Sequence, residues 1–146
     1  MMRLVCAVLG LWCAGCTQEA LIHPSGPGLG AGTWGGENAG VLVQDSTAHV
    51  HVGCTNGYFP RATSLDGDGR FSVDGSYVLR AYPVQMGPDL PAKLEGVIAG
   101  SRLTFSVIVN DTVEDKTVTV GPAVVFFDRE PAMQNCPICA ISAMMR

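Results

Sequence analysis

Charged residues are scarce in this 146-residue chain, in which aspartate, glutamate, lysine and arginine together make up only 15%. Lysine occurs at Lys93 and Lys116 alone, the formal net charge is −4, and no basic patch is visible. This balance argues against a nucleic acid partner. Long polar tracts are also absent, so we expect most of the chain to fold. The length suits one domain with a real core and is too short for two.

The sequence also lacks a recognisable catalytic constellation. Its carboxylates form no paired motif, and no Ser/His/Asp arrangement has a supporting context. We therefore predict a protein that is not an enzyme and needs no cofactor. The carboxylates considered are Glu37, Asp74, Glu95 and Asp115.

The N-terminus has the pattern of an export signal. A short positive start is followed by an apolar run over residues 4–12, which is too short to span a bilayer as a stable helix. The following Cys13-Ala14-Gly15-Cys16 resembles the lipobox of bacterial lipoproteins, although Cys13 stands where that family usually has leucine. The resemblance implies a signal peptide over residues 1–15 and a lipid-bearing Cys16. An ordinary secretory signal, leaving an unanchored periplasmic protein, is the alternative.

Residues 16–31 are predicted to be a flexible tether, because the segment is rich in proline and glycine and has no periodicity. His23 lies in it and is interpreted as solvated. Thr17 follows Cys16, where lipoproteins kept at the inner membrane commonly have aspartate. We therefore expect anchoring at the outer membrane, with the domain facing the periplasm.

The remainder of the chain has the pattern of short β-strands. Val41 and Val43 lie on one face of a strand and Leu42 on the other, so this strand is apolar on both faces. In the next run Ala48 and Val50 alternate with histidines, and this period of 2 predicts a half-buried strand. Turn residues recur every 8–12 positions, among them a predicted turn at 55–57 and a predicted strand break at Gly75. They predict an all-β domain over residues 32–128 and a tail over 129–146. An antiparallel up-and-down meander closing into a barrel is favoured, with a β-sandwich as the alternative.

Two resemblances support that fold. Gly32-Thr33-Trp34 is similar to the G-x-W of lipocalin-like barrels, and GTWGG at 32–36 with Cys54 resembles a group of small bacterial lipoproteins that have no assigned activity. The second likeness extends to D-G-x-F at 68–71 and E-G-x-x-x-G-x-x-L-T at 95–104. We expect Trp34 to pack across one end of the barrel. The lipocalin likeness implies that Arg129 lies on the face of that ring.

Cysteine use is consistent with an oxidising compartment. Cys6 and Cys13 leave with the signal peptide and Cys16 takes lipid, so Cys54, Cys136 and Cys139 remain. We predict a Cys54–Cys136 disulfide, with Cys54–Cys139 as an alternative. A local bond between the two tail cysteines is a third possibility.

Two other motifs contain residue types that can bind a metal ion. His49-x-His51 together with the C-x-x-C at 136–139 has the ligand types of a zinc site, but the histidines should face outward and Cys54 inward. His49 and His51 are therefore weak metal candidates. The DGDG at 66–69 is predicted to be a tight turn and not a calcium loop, because the glutamate of an EF-hand is missing.

Three classes of function remain from the sequence. The first is a non-catalytic envelope domain that binds a small apolar ligand or an envelope protein. The second is a structural surface lipoprotein without a ligand. The third, which we consider unlikely, is a zinc-binding or enzymatic domain.

Overall fold

The computed structural model describes residues 26–79 and 87–134. These residues form eight β-strands, and no helix within them is long and apolar enough to cross a membrane. The strands are β1 (Gly32–Gly36), β2 (Ala39–Val43), β3 (Thr47–Val52), β4 (Thr55–Pro60), β5 (Arg70–Val78), β6 (Leu90–Ala99), β7 (Arg102–Asp111) and β8 (Lys116–Phe127).

Each strand is antiparallel to the next one in the chain, and β8 returns to pair with β1, so the sheet closes into a barrel. The predicted up-and-down barrel is confirmed, and the sandwich alternative is wrong. Closure satisfies the hydrogen-bonding groups of strand edges that would otherwise be open. The β1–β8 seam is short: Trp34 pairs with Phe127 and Gly35 with Phe126.

The period-2 alternation places the core as predicted in β3. In β2, which was expected to be apolar on both faces, Val41 and Val43 are buried and Leu42 between them is 45% exposed. Ala48 and Val50 point into the barrel, and His49 and His51 point outward. All eight strands contribute to a single apolar cluster, and its largest fully buried members include Trp34, Phe59, Tyr77 and Phe105.

Trp34 anchors the seam from the inside. Its side chain is fully buried, its Nε1–H donates to the carbonyl of Gly30 at 2.9 Å, and its ring meets that of Phe127 edge-on at 5.1 Å. Trp34 is therefore buried where β1 meets β8, and its expected position across one end of the barrel stays a prediction. The expected position of Arg129 is corrected. Its guanidinium lies 5.8 Å from the ring centroid of Phe126, because Arg129 follows the chain onto the outer surface while Trp34 faces inward.

Two glycine positions predicted to interrupt strands lie inside them. Residues 55–57 were expected to form a turn, but the turn is made by Gly53, with φ of 58°, and Cys54. Gly75 was expected to break the strand, yet β5 runs through it. A Cβ at Gly57 would lie 2.3 Å from the carbonyl oxygen of Ser76, and one at Gly75 would lie 2.4 Å from that of Tyr58. Glycine is needed at both places for the close approach of β4 and β5.

The DGDG segment is a tight turn, as predicted. Asp66 Oδ1 accepts hydrogen bonds from the backbone N–H groups of Asp68, at 2.9 Å, and Arg70, at 2.8 Å. Gly69 has φ of 76°, in the region that favours glycine. The Asp66 carboxylate thus stabilises the turn through two backbone hydrogen bonds.

The end of the predicted tether belongs to the folded unit. Leu29 is fully buried, its N–H donates to the carbonyl of Ala62 at 2.8 Å, and its own carbonyl accepts from Arg61 Nε at 2.8 Å. The barrel therefore begins to hold the chain before Gly32. The predicted end of the tether at residue 31 is therefore too late. Periodicity could not reveal the earlier start of the fold, because Leu29 is an isolated apolar residue among glycines and prolines.

We expect Trp34→Ala to lower the free energy of unfolding by about 3–5 kcal/mol, because it removes a large buried ring and the hydrogen bond to Gly30. Chemical denaturation measures the change. Val113→Ala, at a residue that is 60% exposed, is the control and should change stability by less than about 0.5 kcal/mol. A Trp34→Ala protein as stable as the wild type would contradict this description of the seam.

Candidate binding groove

The chain after β8 crosses the outer face of the barrel. Asp128, with φ of 58°, turns the chain, and its N–H donates to the carbonyl of Thr33 at 2.8 Å. Further on, the Ala132 N–H donates to Gly36 and the Ala132 carbonyl accepts from Asn38, both at 2.9 Å. Residues 128–134, which we call the crossing segment, are thereby fixed to β1 and to the β1–β2 turn.

Two paired glycines make this crossing possible. Gly35 and Gly40 are partners in the β1–β2 register. A Cβ at Gly35 would lie 2.2 Å from the carbonyl oxygen of Arg129, and one at Gly40 would lie 2.9 Å from Cβ of Pro131. Any side chain on either residue would therefore push the crossing segment away from the sheet. The close approach of the crossing segment therefore explains why position 35 of the GTWGG sequence is a glycine.

Beside the crossing segment lies an open cavity of about 270 Å³, which we call the outer groove. Its floor is the outer surface of β1, β2 and β3, and the crossing segment forms one wall. Leu42 at 45% and Met133 at 40% are unusually exposed for large apolar side chains. The lining residues are Thr33, Trp34, Gly40, Val41, Leu42, His49, His51, Pro131 and Met133.

An aromatic row runs along the groove on β3 and β4. The His49 ring stacks on Tyr58, its cross-strand partner, with centroids 4.2 Å apart and an angle of 6° between the planes. His51 meets His49 edge-on at 4.5 Å. Alternation puts both histidines on one face of β3, so the predicted outward orientation is confirmed.

One nitrogen in this row has no partner. Nε2 of His49 is buried and makes no hydrogen bond to the part of the protein that the structure describes. Leaving a buried polar atom unsatisfied costs about 1–3 kcal/mol. Such an atom beside an open groove marks a place where a ligand could supply the missing interaction.

The neighbouring imidazole is held in its neutral form. Burial lowers the pKa of His51 below its usual 6.5, and the nearby His49 lowers it further. Both causes disfavour the imidazolium. At neutral pH the groove therefore presents a neutral ring with one nitrogen lone pair.

The barrel interior offers a contrast. Buried side chains from all eight strands meet in it. Polar groups at its ends are used internally: the Tyr77 hydroxyl is 2.8 Å from Thr55 Oγ1, and Asp111 Oδ1 accepts from the N–H groups of Val113 and Glu114. These interactions tie turns to strands.

A larger cavity, of about 510 Å³, lies along β5, β6 and β7. Its rim carries polar side chains, among them Arg70, Ser72 and Glu95. Asp66 also lines it, but its Oδ1 is held by the turn described above. Unlike the outer groove, this cavity contains no buried side-chain nitrogen or oxygen that lacks a partner among the described residues.

The structure brings together only part of the site predicted from the sequence. His49 and His51 are adjacent, and no group of three or more His, Cys, Asp or Glu residues suited to a metal occurs within residues 26–79 and 87–134. Cys16, Cys136 and Cys139 lie outside those ranges, so lipid attachment, the disulfide and the C-x-x-C half of the zinc set stay predictions. Cys54 lies in the β3–β4 turn and is half-buried.

The crossing segment, which forms the wall of the groove, was not predicted from the sequence. Pro131 and Met133 are about 80 to 100 positions from the strands that they cover, and no local periodicity links them. The Gly35–Gly40 pair was the available clue, since adjacent strands without side chains on one face allow another segment to approach closely.

No protein-family model matches the chain, and neither the curated proteins nor the solved structures compared with it gave a match.

We expect the stability of the protein to depend on the protonation of His51. Because folding lowers its pKa, the unfolded chain binds the proton more readily. This contribution to stability is fully present above pH 6.5 and is lost as the pH falls through that value toward the folded-state pKa. In His51→Gln the decline in unfolding free energy between pH 7 and pH 5 should be shallower than in the wild type.

Denaturation at several pH values measures this slope, and His23→Gln, in the segment predicted to be a tether, is the control with a wild-type slope. Identical slopes for the wild type and His51→Gln would refute the assignment.

Proposed function

We propose that this protein is a lipid-anchored protein of the cell envelope, with a non-catalytic barrel that binds a ligand or partner on its outer surface. The observation that carries the binding part is the outer groove, which combines exposed apolar side chains with an unpartnered buried nitrogen. The apolar cluster inside the barrel, to which all eight strands contribute, also suits the second candidate, a structural surface lipoprotein without a ligand.

The anchoring part rests on the Ala14-Gly15-Cys16 sequence after a short apolar run. A lipid on Cys16 would leave residues 17–25 between the membrane and the described part of the domain. Nine flexible residues span roughly 15–18 Å, by the random-coil relation of about 5–6 Å times the square root of their number. The barrel would thus remain close to the bilayer, at the outer membrane on the periplasmic side.

The geometry around Asn38 supports the proposed Cys54–Cys136 disulfide. The Asn38 carbonyl accepts from Gly53 N–H at 2.8 Å, and its Oδ1 accepts from Gln134 N–H at 3.4 Å. Cys54 adjoins one donor, and Cys136 is two residues beyond the other, a reach of at most about 7 Å. Cys139 is five residues beyond Gln134 and would need a longer path.

We expect Cys16→Ser to release the protein from membranes, because a serine cannot be lipidated by this route. Fractionation of host cells measures the effect, and Cys6→Ser, within the signal peptide, is the matched control that should stay membrane-bound. Full membrane partition of the Cys16→Ser protein would contradict the anchor.

We expect non-reducing peptide mapping of the native protein to recover Cys54 linked to Cys136. The bond should persist in Cys139→Ser and be absent from Cys136→Ser. By closing a loop of roughly 80 residues it would stabilise the domain by about 4 kcal/mol in the chain-entropy model. Recovery of the Cys54 peptide as a free thiol, or a local Cys136–Cys139 bond, would rule the pairing out.

A further inference from the structure

The strongest unexplained feature of the described surface is the histidine pair in the outer groove. His49 and His51 are two residues apart on one face of β3, and their ring centroids are 4.5 Å apart. An ion bound to an imidazole nitrogen at 2.0–2.1 Å lies about 3 Å from that ring centroid. Two rings that share an ion therefore have centroids less than about 6 Å apart, a condition that this pair meets.

The third donor in the groove is a thioether. Met133 lines the same cavity from the crossing segment, and its partial exposure leaves its side chain room to change rotamer. Imidazole binds zinc, copper, iron and nickel, whereas thioether sulfur favours the softer cuprous ion. A set of two imidazoles and one thioether therefore selects copper over zinc.

We propose that the outer groove binds one cuprous ion through His49, His51 and the thioether sulfur of Met133. The buried Nε2 of His49 gains the partner that it lacks, after a small movement of the side chains that cover it. The stacked Tyr58 holds the His49 ring against the sheet and limits its rotation. No oxidation or reduction is part of the proposal, since the ion binds and leaves as Cu⁺.

This inference deepens the proposed function, since it names the ligand of the same groove. The two remain separable. Native mass spectrometry of protein extracted from its host compares the wild type with the His49→Gln/His51→Gln double variant, because copper bound by the tail cysteines would remain in both. An organic ligand in the groove without copper would overturn the copper site and leave the proposed binding function standing, whereas copper that is retained by the wild type and lost from the double variant supports both.

The direct test is a titration of the purified mature protein with Cu⁺. Accessible thiols are first alkylated without reducing agent, so that C-x-x-C cannot compete for the ion. Cu⁺ is then supplied anaerobically from copper and ascorbate, with bicinchoninate as the competing chromophore. We expect one Cu⁺ per chain, with binding at least about tenfold weaker in His49→Gln and in His51→Gln.

Two further variants test whether a loss of Cu⁺ binding is specific to the proposed ligands. Met133→Leu keeps the volume of the side chain but removes the sulfur, so it should weaken Cu⁺ binding and leave the weaker Zn²⁺ binding unchanged. His23→Gln should bind Cu⁺ like the wild type. Because all three ligands lie on the outer surface, these variants should fold, and thermal unfolding checks this.

A spectroscopic measurement does not depend on the variants. Addition of Cu⁺ should shift the imidazole ¹⁵N resonances of His49 and His51 in the wild-type protein, with the His23 resonances unmoved. Stoichiometric Cu⁺ binding by the His49→Gln/His51→Gln double variant, or the absence of binding and of imidazole shifts in the wild type, would overturn the proposal.

Discussion

The barrel closes through a short pairing of β1 with β8. Only two residue pairs join these strands, and an unclosed barrel would expose hydrogen-bonding groups along both edges. Trp34 reinforces the seam from within through its hydrogen bond to Gly30 and its contact with Phe127. The crossing segment reinforces it from outside, because it continues from β8 directly onto β1.

The same crossing creates the outer groove. If β8 ended at the seam, the outer face of β1–β3 would be flat and open to solvent. Pro131 lies against Gly40 and turns that face into a groove, with Leu42 and the two histidines on its floor. The segment that reinforces the closure of the barrel therefore also forms the wall of the groove, and the Gly35–Gly40 pair lets it lie against the sheet.

The alternation of apolar and polar residues predicted which side chains face the core, because this orientation depends only on the strand itself. Alternation placed Ala48 and Val50 inside and His49 and His51 outside, because the strand period acts on each residue whatever its partners. The same reasoning failed at Gly75, where a residue that usually interrupts strands is required by the backbone of a neighbouring one. The groove could not be predicted at all, because its wall comes from a segment with no strand periodicity.

The histidine pair shows why ligand types alone are a poor guide to a metal site. The sequence pairs H-x-H most naturally with C-x-x-C, since those residues complete a zinc set. The structure places Met133, which a search for typical zinc ligands would pass over, in the groove with both imidazoles. Exchange of an anionic thiolate for a neutral thioether removes the charge that holds a divalent ion and keeps the softness that suits Cu⁺. The identity of the expected metal thus follows from the path of the chain after β8.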